Sequence, residues 1–128
     1  MGRVAWRRLL HCCLTLLGPI GKLPAGGRNW EGFGSDPYLQ GVGAYETIRG
    51  IQAQGVIATA KHVIGNEQEH FRQGAGAVSA NIDDRTMHEV YLWPFQDSVK
   101  AGVGAVMVLT STSDFKVDAY CHSVHTTE

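Results

Sequence analysis

Three observations predict an α/β fold with parallel strands. A helical stretch, a glycine and an apolar run follow one another twice, in GIQAQGVIATAKH and in SVKAGVGAVMVLT. Both apolar runs are continuous rather than alternating, as strands covered on two faces require. Sixteen glycines in 128 residues supply the tight turns that successive strand–helix units need. Helix and strand in alternation place consecutive strands side by side and parallel. The length suits one ordinary domain.

The elements follow in order. The opening MGRVAWRRLLHCCLTLLGP has a basic start and an apolar run from Leu9 to Leu17. That run is too short to span a membrane. It ends in Leu16-Leu17-Gly18-Pro19, where a leader would carry a small-residue cleavage pattern, so no convincing signal peptide is read. Residues 18–35 hold Gly18, Pro19, Gly21, Pro24, Gly26, Gly27, Gly32 and Gly34 and read as a loop. Asp36-Pro37 starts a helix, as N-cap and first helical residue. Leu39, Val42, Tyr45, Ile48 and Ile51 carry its apolar period to about Gln54, and Gly55 stops it. Val56–His62 is the first buried strand. A polar, glycine-rich loop follows. Asp83 or Asp84 then caps a helix through RTMHEVYLW, with Thr86-x-x-Glu89 as a second possible capping box. Pro94 breaks that helix or begins a new one to Lys100, Gly102 closes it, and Val103–Leu109 is the next strand. Beyond Leu109 the sequence has no clear period.

Composition excludes several classes. A formal net charge of −1 gives nucleic acid no electrostatic footing. Apolar residues at 44 % and charged residues at 18 % are a globular balance. The three cysteines, Cys12, Cys13 and Cys121, match neither a disulfide framework nor a metal spacing. No nucleophile elbow, phosphate-binding loop or dinucleotide fingerprint is present, and no cofactor is called for.

Lys61 and His62 end a buried strand, and strand C-termini line the active sites of α/β folds. A buried lysine needs an anion or polar ligand groups, because an unpaired buried charge is costly. The alternatives for Lys61 are a ligand and a structural ion pair with Glu31 or Asp36. Arg28, in GGRNWEGFG, offers a rigid fork of donors suited to sugar hydroxyls or a carboxylate. Trp30 can pack under the loop or form an apolar wall, and Glu31 can hold Arg28 or Lys61 in position. His62, Glu67 and His70 are ligand types for a metal, but they do not follow the helical H-E-x-x-H pattern.

The segments GRNWEGFGSDPYL, GVIATAKHVIGNEQEHFR and DDRTMHEVYLWPFQDSVKAGVGAVM resemble, in order, the N-terminal barrel of glycoside hydrolase family 3, above all fungal secreted β-glucosidases. The resemblance covers about Leu17 to Met107. It implies an incomplete (β/α)8 barrel and hydrolysis of terminal β-D-glucosyl residues, from a β-glucoside or cello-oligosaccharide, with retention. On the family's pattern Arg28, Lys61 and His62 bind the sugar, Met107 stands near the pocket wall, and Trp30 and Glu31 support them. It implies no metal, no membrane partner and a secreted parent.

Departures shape the expectations further. Retaining hydrolysis needs two carboxyl groups about 5–5.5 Å apart. In the family the nucleophile follows in a Ser-Asp-Trp motif on a later strand, and the acid/base comes from a second domain. Ser113-Asp114-Phe115 mimics that motif without a strand of its own, and Val108-Leu109-Thr110-Ser111 replaces the family's Cys-Ser-Tyr-Asn. No catalytic residue is therefore assigned. The expected organisation is an atypical head over 1–16, a partial barrel over 17–109 and an irregular tail over 110–128. The ends suggest a truncated or misread gene model. A polypeptide that is inactive and poorly soluble alone is expected. The alternatives are a non-catalytic sugar-binding remnant and a metal-dependent α/β hydrolase using His62, Glu67 and His70.

Overall fold

The computed structural model describes residues 12–16, 20–21, 23–67 and 80–108. Its elements are β1 (Cys12–Leu16), a 3-10 turn (Asn29–Glu31), α1 (Pro37–Ala53), β2 (Ile57–Val63), α2 (Asp84–Thr86), a wide π-type turn (Met87–Tyr91), α3 (Trp93–Lys100) and β3 (Ala105–Val108). The three strands form one parallel sheet in the order β1-β2-β3. Helices separate consecutive strands, as the repeated helix–glycine–strand rhythm implies.

Cys12–Leu16 pairs along β2 from Cys12↔Ile57 to Leu16↔Lys61, so the sheet reaches into the stretch expected to stand outside it. A short apolar run of this kind suits a strand in a parallel sheet. Residues 1–11 and the tail from Leu109 onward lie outside the described residues.

Local chemistry accounts for the helices. Asp36 is the N-cap of α1 and accepts a hydrogen bond from the Tyr38 N–H at 2.9 Å, with Pro37 at the first helical position. Asp83, not Asp84, caps α2, accepting from the Thr86 N–H at 3.0 Å. The second capping box is not formed: Thr86 makes no side-chain cap, and Glu89 instead pairs with Arg85 at 2.9 Å. The single helix expected from Asp84 to Trp93 is one α-turn followed by the wide turn, where the Leu92 N–H reaches back to the Met87 carbonyl. Pro94 has no N–H to offer Val90 and crowds its carbonyl, which favours a widened turn just before α3. Gly55 and Gly102 both lie at φ 77°, a left-handed conformation that ends each helix and aims the chain into the next strand.

The core sits between α1 and β2. Ala44, Ile48, Ala58 and Ala60 are fully buried there, with Ile51, Phe95, Ala101 and Val103 packed around them. Alanines at 58 and 60 let the helix approach the strand closely. Because side chains alternate along a strand, Thr59 and Lys61 face the other side of the sheet. Gln52, near the end of α1, joins the two repeated units. It donates to the Gly102 carbonyl at 2.7 Å and accepts from the Gly104 N–H at 2.8 Å and the Ala58 N–H at 3.4 Å.

Candidate functional site

The site lies where β2 and β3 end and where the loop after β1 begins. Parallel strands end on the same side, so β2 brings Lys61 and β3 brings Met107 to one edge. Lys61 and Met107 are cross-strand partners, which puts their side chains on the same face. His62 follows Lys61 across a cis peptide bond and is half-buried, and the pairing shifts register between Lys61 and Val63.

The loop before α1 is held by its own residues. The Gly26 N–H donates to the Leu23 carbonyl at 2.9 Å, and the Asn29 amide donates to the same carbonyl at 2.7 Å. The Asn29 Oδ1 lies so close to Gly26 that an added Cβ would stand 2.6 Å from it. This fold-back presents the 3-10 turn to the end of β2. Spacing by three residues then sets Arg28 and Glu31 on one side of the turn.

Arg28 grips Glu31 with two parallel bonds, Nε to Oε1 at 2.8 Å and Nη2 to Oε2 at 2.7 Å. The Lys61 ammonium lies 3.5 Å from the same Oε2. Of the two partners open to Lys61 in the sequence, Glu31 is the one it meets, while Asp36 caps α1. The lysine side chain is 7 % exposed and Glu31 15 %, while Arg28 at 36 % reaches solvent. The hydrogen bond from Arg28 holds the Glu31 carboxyl below its ordinary value; burial opposes this, and the charges of Arg28 and Lys61 add to it. Glu31 is thus a settled carboxylate, ionised at neutral pH and joined to two cations.

Trp30 is 81 % exposed and does not pack under the loop. Its neighbours in the turn are fixed by backbone and salt-bridge contacts, and the indole stands outside. Met107 is 40 % exposed. Glu67 proves to be a structural anchor: it is buried and accepts a hydrogen bond from the Ile20 N–H at 2.9 Å, tying the loop after β2 to the one after β1. Burial, and then the charge of Glu67, push the Tyr91 phenol up. Among the described residues no three His, Cys, Asp or Glu side chains gather as a metal set. His70 and Asp114 lie outside the described residues.

Comparison with known proteins bears on this geometry. The model of the glycosyl hydrolase family 3 N-terminal domain matches residues 18–120. The chain belongs to glycosyl hydrolase family 3. A probable β-glucosidase F of Aspergillus fumigatus is 67 % identical over 94 residues, covering 71 % of this chain and 11 % of that protein. Among solved structures, the β-D-glucoside glucohydrolase of Trichoderma reesei is 56 % identical with a TM-score of 0.69, over 77 % of this chain and 14 % of that one. A β-glucosidase of Streptomyces venezuelae, solved in complex with D-glucose, is 38 % identical with a TM-score of 0.67, over 74 % of this chain and 12 % of that one. The family 3 chain therefore spans about a tenth of the length of the relatives it matches. The (β/α)8 barrel fits the three parallel strands and their connecting helices as part of one sheet.

Sequence reasoning singled out Arg28, Glu31 and Lys61, and the structure joins them. It missed Asn29 as the residue that folds the loop and Glu67 as its second anchor. For Asn29 the signal was present, a short amide side chain two residues after Gly26-Gly27, a place where such side chains bond nearby backbone.

Proposed function

We infer that this family 3 chain forms the sugar-binding edge of a retaining β-glucosidase barrel and does not itself hydrolyse. The observation that carries this reading is the Glu31 carboxylate, which fixes the Arg28 fork and the Lys61 ammonium side by side at the C-terminal end of a parallel sheet. Two positioned cations, with His62 next along the strand, suit the vicinal hydroxyls of a terminal, non-reducing β-D-glucosyl unit. Charge-assisted hydrogen bonds of this kind contribute about 1.5–3 kcal/mol each. Met107, in register with Lys61, would form part of the pocket wall, and exposed Trp30 an apolar wall at the rim. The substrate class is a β-glucoside or cello-oligosaccharide, and the place of action is outside the cell, as the resemblance to secreted fungal enzymes implies.

Chemistry limits what the chain can do by itself. Retention requires a nucleophile and a proton donor about 5–5.5 Å apart. Glu31 suits neither role: held ionised by Arg28 it has no proton to give at neutral pH, and with both oxygens engaged it is a poor nucleophile. The family's two catalytic carboxyl groups come from a later strand and a second domain, so binding is the part assigned to this chain.

Calorimetric titration of the purified 128-residue chain with glucose tests the reading, alongside an assay with an aryl β-glucoside. Saturable binding that Lys61→Ala lowers by about tenfold or more, the loss of one charged hydrogen bond, with no hydrolysis, supports it. Binding indifferent to Lys61, or robust hydrolysis, overturns it.

A further inference from the structure

Glu31 and Lys61 belong to different parts of the chain, and they meet at 3.5 Å only while the 3-10 turn is held against the end of β2. Two long side chains meet as well as their backbones are placed. The chain after β2 helps to place them. It turns at Gly65, which lies at φ 76°, and the Glu67 N–H donates to the Gly65 carbonyl at 2.9 Å. From that turn Glu67 touches the loop after β1 twice. Its side chain accepts from the Ile20 N–H at 2.9 Å, in a residue only 8 % exposed. Its backbone carbonyl oxygen would stand 3.2 Å from a Cβ added to Gly26. Gly26 in turn lies against the Asn29 side chain, and Asn29 opens the turn that carries Glu31. Strand, Glu67, loop and turn thus form a ring that closes where Glu31 meets Lys61.

We propose, resting on the saccharide reading of this edge, that Glu67 is a positioning residue for sugar binding: by accepting the Ile20 N–H it holds the loop so that Glu31 meets Lys61. The role needs an acceptor oxygen at the right reach. Glutamine supplies both. Aspartate keeps the acceptor and the charge but is one methylene short. Leucine keeps the bulk and loses the acceptor, which leaves the Ile20 N–H without this partner. A residue that only supported the fold would lower stability without altering how the turn meets the strand in molecules that remain folded. Small displacements of binding groups have large effects on ligand affinity, even when the displaced support lies away from the ligand.

Two readouts on the 128-residue chain separate positioning from general support. One is glucose affinity by calorimetry. The other is the titration of the Glu31 carboxyl, followed by carbon NMR with and without Lys61→Met. The Arg28 hydrogen bond is the first cause of the lowered Glu31 value, and the charge of Lys61 adds to it. The rise that Lys61→Met produces therefore reports how near the lysine lies, since the coupling fades with separation. The variants are Glu67→Gln, Glu67→Asp and Glu67→Leu, with Gln52→Leu as a destabilised control on α1 and circular dichroism as the check on folding. Glu67→Asp and Glu67→Leu should weaken glucose binding by about tenfold or more, and should cut the effect of Lys61→Met to about half or less. Glu67→Gln should recover both losses, and Gln52→Leu should lower the melting temperature with neither loss. Wild-type affinity and coupling in Glu67→Asp and Glu67→Leu overturn the proposal, and so does a Glu67→Gln chain that loses as much as Glu67→Leu. Where Glu67→Leu fails to fold, the contrast between Glu67→Gln and Glu67→Asp decides. A wild-type chain that binds no glucose refutes the saccharide reading and this proposal with it, whereas glucose binding with unchanged coupling in Glu67→Asp refutes the proposal alone.

Discussion

Glu31 uses both carboxylate oxygens on cations, and that makes its ionisation part of the site's stability. Its folded-state affinity for protons is lowered, first by the Arg28 hydrogen bond. A carboxyl shifted in that direction stabilises the fold above its ordinary range, and the contribution fades as pH falls through the lowered value. Urea midpoints of the wild type should therefore fall between pH 7 and pH 3 more steeply than those of Glu31→Gln, and parallel slopes would contradict the assignment. Gly26 gives a second prediction at this scale. An alanine there would set its Cβ 2.6 Å from the Asn29 Oδ1 and 3.0 Å from the Leu23 carbonyl. Crowding of this kind costs about 1–3 kcal/mol, read as a lower melting temperature in Gly26→Ala. The Arg28–Glu31 pair was legible because spacing by three places two side chains on one side of a tight turn. The close fit of Asn29 on Gly26 was not legible, since it depends on how the loop folds back rather than on any period.

Among the elements, α1 and its two capping signals were readable in advance. Asp36 and Pro37 can act in only one way before an apolar helical period, and Gly55 can end the helix where most residues would be strained. Asp36→Ala should lower stability by about 1 kcal/mol, measurable as a shift in the urea midpoint without a change in slope. Strand β1 was less readable. Four apolar residues and a threonine are too short a run to mark a strand by period, and the pairing with Ile57–Lys61 is what defines it. The wide turn at Met87–Tyr91 was also hidden, because the sequence shows a proline at 94 but not how the preceding turn accommodates it. Gln52 lies on the helix that the sequence marks plainly, yet its partners are 50 and 52 residues away. Gln52→Leu removes a partner from the Gly102 carbonyl and the Gly104 N–H. The expected loss is about 1–3 kcal/mol for the two groups, seen by chemical denaturation, and an unchanged midpoint would show that water replaces the side chain.

For the molecule as a whole, the sheet and the site are one object. Strands β2 and β3 carry Lys61 and Met107 to the same end, and the turn after β1 brings Arg28 and Glu31 to Lys61. On β3, Val106, Met107 and Val108 remain 40–45 % exposed. Exposed apolar side chains on an edge strand favour association, so light scattering of the isolated chain should report species larger than a monomer, and a strictly monomeric solution would count against that expectation. Family membership rests on matches spread along the chain, whereas the pocket rests on a few side chains meeting at one edge. The measurement that tests that meeting most directly is an amide NMR titration of the chain with glucose. The account predicts shift changes concentrated at Arg28, Glu31, Lys61, His62 and Met107. Changes confined to the helical face around Ala44 and Ile48, or no changes at saturating sugar, would contradict it.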